Sequence, residues 1–267
     1  MHTATKLTVL FALVALALGL GLLFASTAEV EWARDGAGLL GGTLALAGGT
    51  LMTLSMMGGL CRALKFMVIT VVVSWLAETV GLEGGWLFGS GYQYAQGLWP
   101  LLPGGVPLMI PFAWFVLAGL PVILLNGQKW SWGSKAAWSA LGMVACDLAL
   151  DPVAVSLGLW SWERPGSYFG VPWGNFVGWW VVSMIIFGIG YGWVGLGKVE
   201  SSRIPLSYEL AWGALHVALL LLLGLGVVHR IGSGGPLWVA MAGMAPLSIP
   251  WLNQLHGRLR VRGYLFY

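Results

Sequence analysis

Lys135-Ala-Ala-Trp-Ser-Ala-Leu-Gly-Met-Val-Ala-Cys-Asp-Leu-Ala-Leu-Asp-Pro-Val-Ala-Val-Ser-Leu-Gly158 sets the reading of the whole chain. Beyond Lys135, its only charged groups are Asp147 and Asp151. A membrane-spanning helix needs about 20 predominantly apolar residues, and this run has that length. Seven further runs qualify, near 7–25, 37–60, 64–82, 107–125, 175–197, 207–228 and 235–252. Turn-rich stretches fall between the runs, as they must where lipid offers backbone groups no partner. The expected fold is all-α, one polytopic transmembrane bundle of about eight spans. Residues 1–267 then form a single integral membrane domain.

Composition excludes the alternatives. Of 267 residues 58% are apolar and only 9% charged, against about 25% charged in a soluble domain. Disorder is incompatible with that apolar content, and collagen with the absence of a Gly period. Lys and Arg number 13 against 10 Asp and Glu. Most stand singly between apolar runs, which suits membrane orientation and gives no footing for nucleic acid. With eight spans, Lys6, Arg62, Lys65, Lys129, Lys135, Lys198, Arg203, Arg258, Arg260 and Arg262 share one side, and Arg34, Arg164 and Arg230 the other. The positive-inside rule then places both termini in the cytoplasm and the protein in the cytoplasmic membrane. The first run reads as a retained helix, because its apolar stretch of about 19 residues exceeds a signal core. Cys61 and Cys146 belong to no CxxC or Cys/His cluster, so neither a disulfide framework nor a metal site is expected.

Acids inside a membrane are costly, and each needs a reason. Asp147 and Asp151 are four apart and share a helix face. Counted from Lys135, Asp147 lies about 18 Å in, close to mid-bilayer. Two carboxyls this close in low dielectric cannot both ionise cheaply, so one keeps its proton. Such a neutral acid can protonate a poor base; the plainer role is an interhelical hydrogen bond to Ser74, Ser183 or a backbone group. Glu78 lies near the outer end of its run, shortly before Tyr92 and Tyr94, where it could also be an interfacial carboxylate. Asn175 opens the sixth run and suits an N-cap. In the seventh run, Glu209 reads as a first-turn acid and His216 as a hydrogen-bonded bundle residue. Two long connections, 83–106 and 159–174, are rich in Gly, Pro and aromatics and are expected to fold over the bundle mouth. Glu78, Asp147, Asp151, Glu163 and Asn175 thus converge on the outer half, among Trp160, Trp162, Tyr168 and Trp179. Acids beside π-faces suit protonating an apolar molecule and sheltering the cation that results.

The ordered elements from Asp147 onward carry a resemblance. Asp147-x-x-x-Asp151-Pro, Gly158-x-Trp-x-Trp-Glu163, Tyr168-Phe-Gly-Val-Pro172 and Asn175-Phe-x-Gly-Trp179 resemble the membrane carotenoid biosynthesis family that includes the CruF-type carotenoid 1,2-hydratases. Glu78-Thr-Val-Gly81, Gly89-x-Gly-Tyr-x-Tyr94 and Gly105-Val-Pro-Leu-Met-Ile-Pro111 are similar to it as well, so the likeness covers about residues 75–180. It implies addition of water to the terminal C1–C2 double bond of an acyclic ψ-end group. The implied substrates are lycopene- or γ-carotene-like C40 carotenoids, or C50 precursors of the bisanhydrobacterioruberin type. Water would be the co-substrate, no cofactor is implied, and the carotenoid would arrive from the lipid bilayer. Other enzymes of the carotenoid pathway are conceivable partners.

In that chemistry Asp151 or Asp147 would be the acid, and Glu78 or Glu163 would position water. Tyr92, Tyr94, Trp160, Trp162, Tyr168, Asn175 and Trp179 would receive the substrate. Two alternatives use the same acids. A carotenoid end-group (lycopene) cyclase would lose a proton after ring closure. A proton-coupled transporter would be expected to show an inverted repeat or paired broken helices, and neither is present in the sequence.

Overall fold

A computed structural model of the chain describes residues 36–84, 86–196, 231–232 and 235–261. The expected spans at 7–25 and 207–228, with Glu209 and His216, lie outside the described residues. The other six runs each become a helix: α1 (Gly36–Gly58), α2 (Leu60–Gly84), α3 (Met109–Leu124), α4 (Trp132–Ser156), α5 (Trp173–Ile189) and α6 (Gly235–Val261). Four helical stretches, Gly38–Gly58, Leu60–Gly84, Trp132–Ser156 and Trp173–Val194, are long and apolar enough to cross a membrane. At 25 residues, α2 and α4 each reach about 37 Å, more than a bilayer core.

Local sequence sets the helix ends. Gly59 alone separates α1 from α2, at φ +90, a conformation that residues with a Cβ rarely adopt. Ser131 caps α4, its hydroxyl accepting the Ser134 N–H at 3.1 Å. Past Ile189 the chain widens into a π-helical turn, Gly190–Val194, closed by Gly195 in the left-handed region. α4 is the central helix and packs on α3, α5 and α6, while α1 lies against α2 and α3. Close α4–α6 contact relies on small residues: a Cβ at Gly243 would stand 2.6 Å from that of Ala145.

Polarity runs from inside to outside, as lipid demands. On α2 the stripe Thr70, Ser74, Glu78 is 0%, 0% and 5% exposed, whereas Val68, Val72 and Leu76 are 54%, 41% and 51% exposed. A water-facing helix would be arranged the other way. The buried hydroxyls satisfy themselves on their own helix, Thr70 donating to the Phe66 carbonyl and Ser74 to the Thr70 carbonyl.

The all-α expectation needs one correction, because the two long connections contain strands. β1 (Tyr92–Tyr94) pairs antiparallel with β4 (Trp160–Trp162), placing Tyr92 opposite Trp162 and Tyr94 opposite Trp160. β2 (Leu101–Leu102) pairs with β3 (Val106–Pro107). Backbone lying over the end of an apolar bundle must find partners, and aromatic-rich segments of alternating pattern find them as strands. The alternation turns Tyr92, Tyr94, Trp160 and Trp162 inward and leaves Gln93 and Ser161 exposed.

Val72→Arg places a cation on the outer apolar face of α2. It should cost insertion about 2.5–3.5 kcal/mol and lower the alkali-resistant membrane fraction, whereas Val72→Leu should leave that fraction unchanged.

Candidate active site

The site forms where α4 and α5 meet beneath the β1–β4 ribbon. Asp147 and Asp151 sit one turn apart on α4, and Asn175 stands in the first turn of α5. Asn175 is not the N-cap. Pro172 holds that position, and Asn175 gives its backbone N–H to the Pro172 carbonyl at 3.0 Å. Its side chain is therefore free to turn toward α4. Asn175 Nδ2 donates to Asp147 Oδ2 at 2.8 Å and to Asp151 Oδ2 at 2.5 Å. All three residues are buried. The interhelical partner of the acids is this amide and not Ser74, whose hydroxyl is taken by its own helix. The Trp160 indole also comes within reach of Asp151.

Glu78 faces the pair from α2 and is held by three donors. Trp114 Nε1 donates to Oε1 at 2.9 Å; the Tyr94 hydroxyl donates to Oε2 at 2.9 Å, and the Tyr92 hydroxyl to the same oxygen. Both carboxyl oxygens are thus engaged as acceptors. Burial, followed by the adjacent Glu78 carboxylate, pushes both phenols above the usual tyrosine range. Tyr92 and Tyr94 accordingly remain protonated donors at any working pH.

Between these groups lies a small, partly open cleft. Asp151, Glu78 and Asn175 line its polar side, and Trp114, Trp160, Trp162 and Trp179 its aromatic side. Asp147 stays behind this wall. Trp114 and Trp179 stack at 3.8 Å between centroids and 14° between planes. Phe88 fits a notch made by two glycines: a Cβ at Gly81 would lie 2.8 Å from its ring, and one at Gly178 would lie 2.7 Å away. That approach explains why Asn175-Phe-x-Gly-Trp179 carries glycine. The Trp162 indole fixes the Phe88 carbonyl at 2.9 Å.

Glu78, Asp151, Tyr92, Tyr94, Trp160, Trp162, Asn175 and Trp179 therefore come together at one cleft, with Asp147 directly behind it. Two expected residues stand elsewhere. Glu163 is exposed, with its carboxyl over Gly91, and does not line the cleft. Tyr168 braces α4 instead. Pro152 lacks the N–H that would bond the Leu148 carbonyl four residues back, and the Tyr168 hydroxyl fills that place at 3.0 Å. Trp114 and Phe88 had not been singled out. A buried indole needs an acceptor, and that requirement was the available signal for Trp114.

No group of three His, Cys, Asp or Glu side chains among the described residues is arranged to hold a metal ion. What the cleft offers is a set of carboxyls for proton transfer beside π-faces suited to a cation.

Comparison with known proteins agrees in kind. Residues 40–245 match the family described as carotenoid biosynthesis protein, a wider span than the 75–180 motif stretch. The chain belongs to this family, and its long apolar helices make it a membrane protein. Among its relatives is the bisanhydrobacterioruberin hydratase of Haloarcula japonica, 32% identical over 185 residues, which are 65% of this chain and 62% of the relative. The match thus spans less than two thirds of that relative's length. No solved structure matches the chain.

Tyr168→Phe should leave the Leu148 carbonyl unpaired and cost about 1–3 kcal/mol, read as a lower melting temperature in detergent. Adding Pro152→Ala restores the missing N–H and should recover most of that loss, a coupling that a double-mutant cycle measures.

Proposed function

We propose that this protein is a carotenoid hydratase that adds water to the terminal C1–C2 double bond of an acyclic ψ-end group. The observation that carries the reading is Asp151 opening onto a cleft walled by Trp114, Trp160, Trp162 and Trp179. Family membership and the relative's name as a hydratase support it. A trisubstituted alkene is a very weak base. It takes a proton only from an acid kept out of water, and only where the resulting charge is stabilised.

In this scheme Asp151, the aspartate facing the cleft, gives its proton to C2. The alkene pair becomes the new C–H bond, and positive charge develops on tertiary C1. Indole faces stabilise that charge, each worth about 2 kcal/mol when desolvated. Glu78, fixed by Tyr92, Tyr94 and Trp114, supplies carboxyl oxygens that cannot swing onto the cation. Water then bonds to C1 and releases a proton to the aspartate pair, which returns Asp151 to its starting state. Hydration is redox-neutral, so water is the only co-reactant the scheme uses.

The substrate class is a C40 carotenoid of the lycopene or γ-carotene kind, or a C50 bisanhydrobacterioruberin-like precursor. It reaches the cleft laterally from the bilayer. An eight-span single domain, both termini in the cytoplasm and a site near the outer side complete the reading; the lopsided distribution of Lys and Arg supports it. Association with other carotenoid-pathway enzymes would pass so insoluble a product onward.

Expression in a lycopene-accumulating host should yield a pigment heavier by one water. In heavy water the new alcohol should carry one deuterium on the neighbouring carbon. Asp151→Asn should abolish product while the protein still reaches the membrane. Pigment of unchanged mass but with a new ring would identify a cyclase instead, and an unaltered profile with folded protein would refute the assignment for lycopene.

A further inference from the structure

Of the residues that line the cleft, five keep partial exposure: Tyr94, Ala113, Leu117, Leu150 and Trp160. The wall that carries the acids does not. Glu78 on α2, Trp114 on α3, Asp151 on α4, and Asn175 and Trp179 on α5 are all buried. The half-buried residues mark the mouth. Ala113 and Leu117 belong to α3 and Leu150 to α4, while Tyr94 and Trp160 stand opposite each other in the β1–β4 ribbon. The mouth thus lies between α3 and α4, on the side of the bundle, with the ribbon as its third edge. On α2 and α5 every lining residue is buried.

Packing shows why the two helices part there. Near the end of α3 they are close: a Cβ at Gly142 of α4 would stand 3.6 Å from the Pro121 ring. Leu124 and Leu125 share a buried cluster with Ala145 and Cys146 of α4 and with Met244 and Leu247 of α6. Toward the start of α3 the cleft takes the place of such contact. Ile110, Ala113, Trp114 and Leu117 fall on one face of α3, and that face meets the cleft. Among the described residues none of α6 lines it; α6 stays with α4, where Ala149 and Ala240 form a separate buried cluster.

The edges of the mouth differ in chemistry. The ribbon edge is fixed, because the Tyr94 hydroxyl bonds Glu78 at 2.9 Å and the Tyr94 and Trp160 rings meet edge to face at 6.1 Å. The helical edge is Ala113, Leu117 and Leu150, which offer no polar side-chain atom. Lipid tails are as apolar as leucine, so a polyene passing this edge exchanges one hydrocarbon setting for another. Ala113 is the smallest side chain on the rim and leaves the most room. We infer that the gap between α3 and α4, edged by Ala113, Leu117 and Leu150, is the portal through which one acyclic end of the carotenoid enters from the bilayer, while the rest of the polyene stays outside the cleft. The inference rests on the hydration reading for the identity of what enters. It makes the end group the feature recognised, and leaves the far end of the molecule in lipid.

A reversible closure tests the portal. Full-length protein carrying Ala113→Cys and Leu150→Cys, with the native thiols removed as Cys61→Ser and Cys146→Ala, is treated in detergent with a flexible bis-thiosulfonate and reconstituted in lipid nanodiscs with lycopene. Bridging the two positions should stop formation of the alcohol, and a reductant that cuts the bridge should restore it. A bridged protein that hydrates lycopene at its unbridged rate overturns the portal, and so does a pair of thiols that the reagent cannot span. Ala113→Trp should slow hydration of lycopene, whereas Val72→Trp on the outer face of α2 should not. γ-Carotene should be hydrated at its acyclic end at the rate per end seen with lycopene; rejection of the ring at the far end overturns recognition by end group alone. An experimental density map of the wild-type protein with lycopene should show the polyene leaving between α3 and α4 beside Ala113 and Leu150, and a chain leaving elsewhere overturns the portal without reference to turnover. Wild-type protein that binds lycopene along this path but forms no alcohol removes the hydration reading and leaves the portal standing.

Discussion

One amide nitrogen, Asn175 Nδ2, gives a hydrogen to each of two aspartates on the neighbouring helix. Carboxyls buried in an apolar bundle without partners would cost several kcal/mol each, so this bridge is the condition for having them there at all. It holds only if α4 and α5 lie close and in register. Pro172 serves the bridge by capping α5 and releasing the Asn175 side chain, and Gly178 admits Phe88 against α5. Tyr168 belongs to the same arrangement: by satisfying the carbonyl that Pro152 frees, it keeps α4 intact between the two acids and the loop.

The facing stripes of α4 and α5 also set where the site ends. One turn from Asp147 toward the start of α4, Met143 is fully buried, and so is Phe187 on α5. Only beyond them does the next polar pair, Ser139 and Tyr191, appear. Among the described residues of α4 and α5, Met143 and Phe187 put an apolar layer between the acids and the Ser139–Tyr191 pair. A pump or transporter needs ionisable groups in communication with both sides, whereas an enzyme whose water and substrate enter near the cleft is served by a floor. This arrangement favours chemistry over transport.

Much of this arrangement is legible in the sequence. Six apolar runs became helices, because twenty consecutive apolar residues have few other ways to satisfy their backbone. All keep close to their expected bounds except α6, which runs nine residues past its expected end. Asp147, Asp151 and Glu78 could be singled out because a charge in such a run is expensive enough to need a reason. The remainder depended on what only three dimensions fix. Glu163 ends the same motif as Trp160 and Trp162, yet the alternation of β4 and the turn that follows carry it to the surface. Tyr168 has the composition of a substrate contact, but its partner is the Leu148 carbonyl, twenty residues back and orphaned by Pro152. Trp114 sits in a run that reads as an ordinary span, and its link to Glu78 crosses between helices with no local signature.

Hydration and ring closure begin from the same protonated end group and diverge at the base. A cyclase must remove a proton from a carbon, so its base has to touch the substrate. Tyr92 and Tyr94 cannot serve, since burial and Glu78 keep their phenols protonated and they are committed as donors. Glu78 has both oxygens occupied. Of the aspartates, Asp151 reaches the cleft and Asp147 does not. If Asp151 has just spent its proton on C2, it faces the bond it made, and the remaining carboxyl, Asp147, does not line the cleft. A base outside the cleft lining suits taking a proton from water that has entered the cleft better than taking one from a substrate carbon.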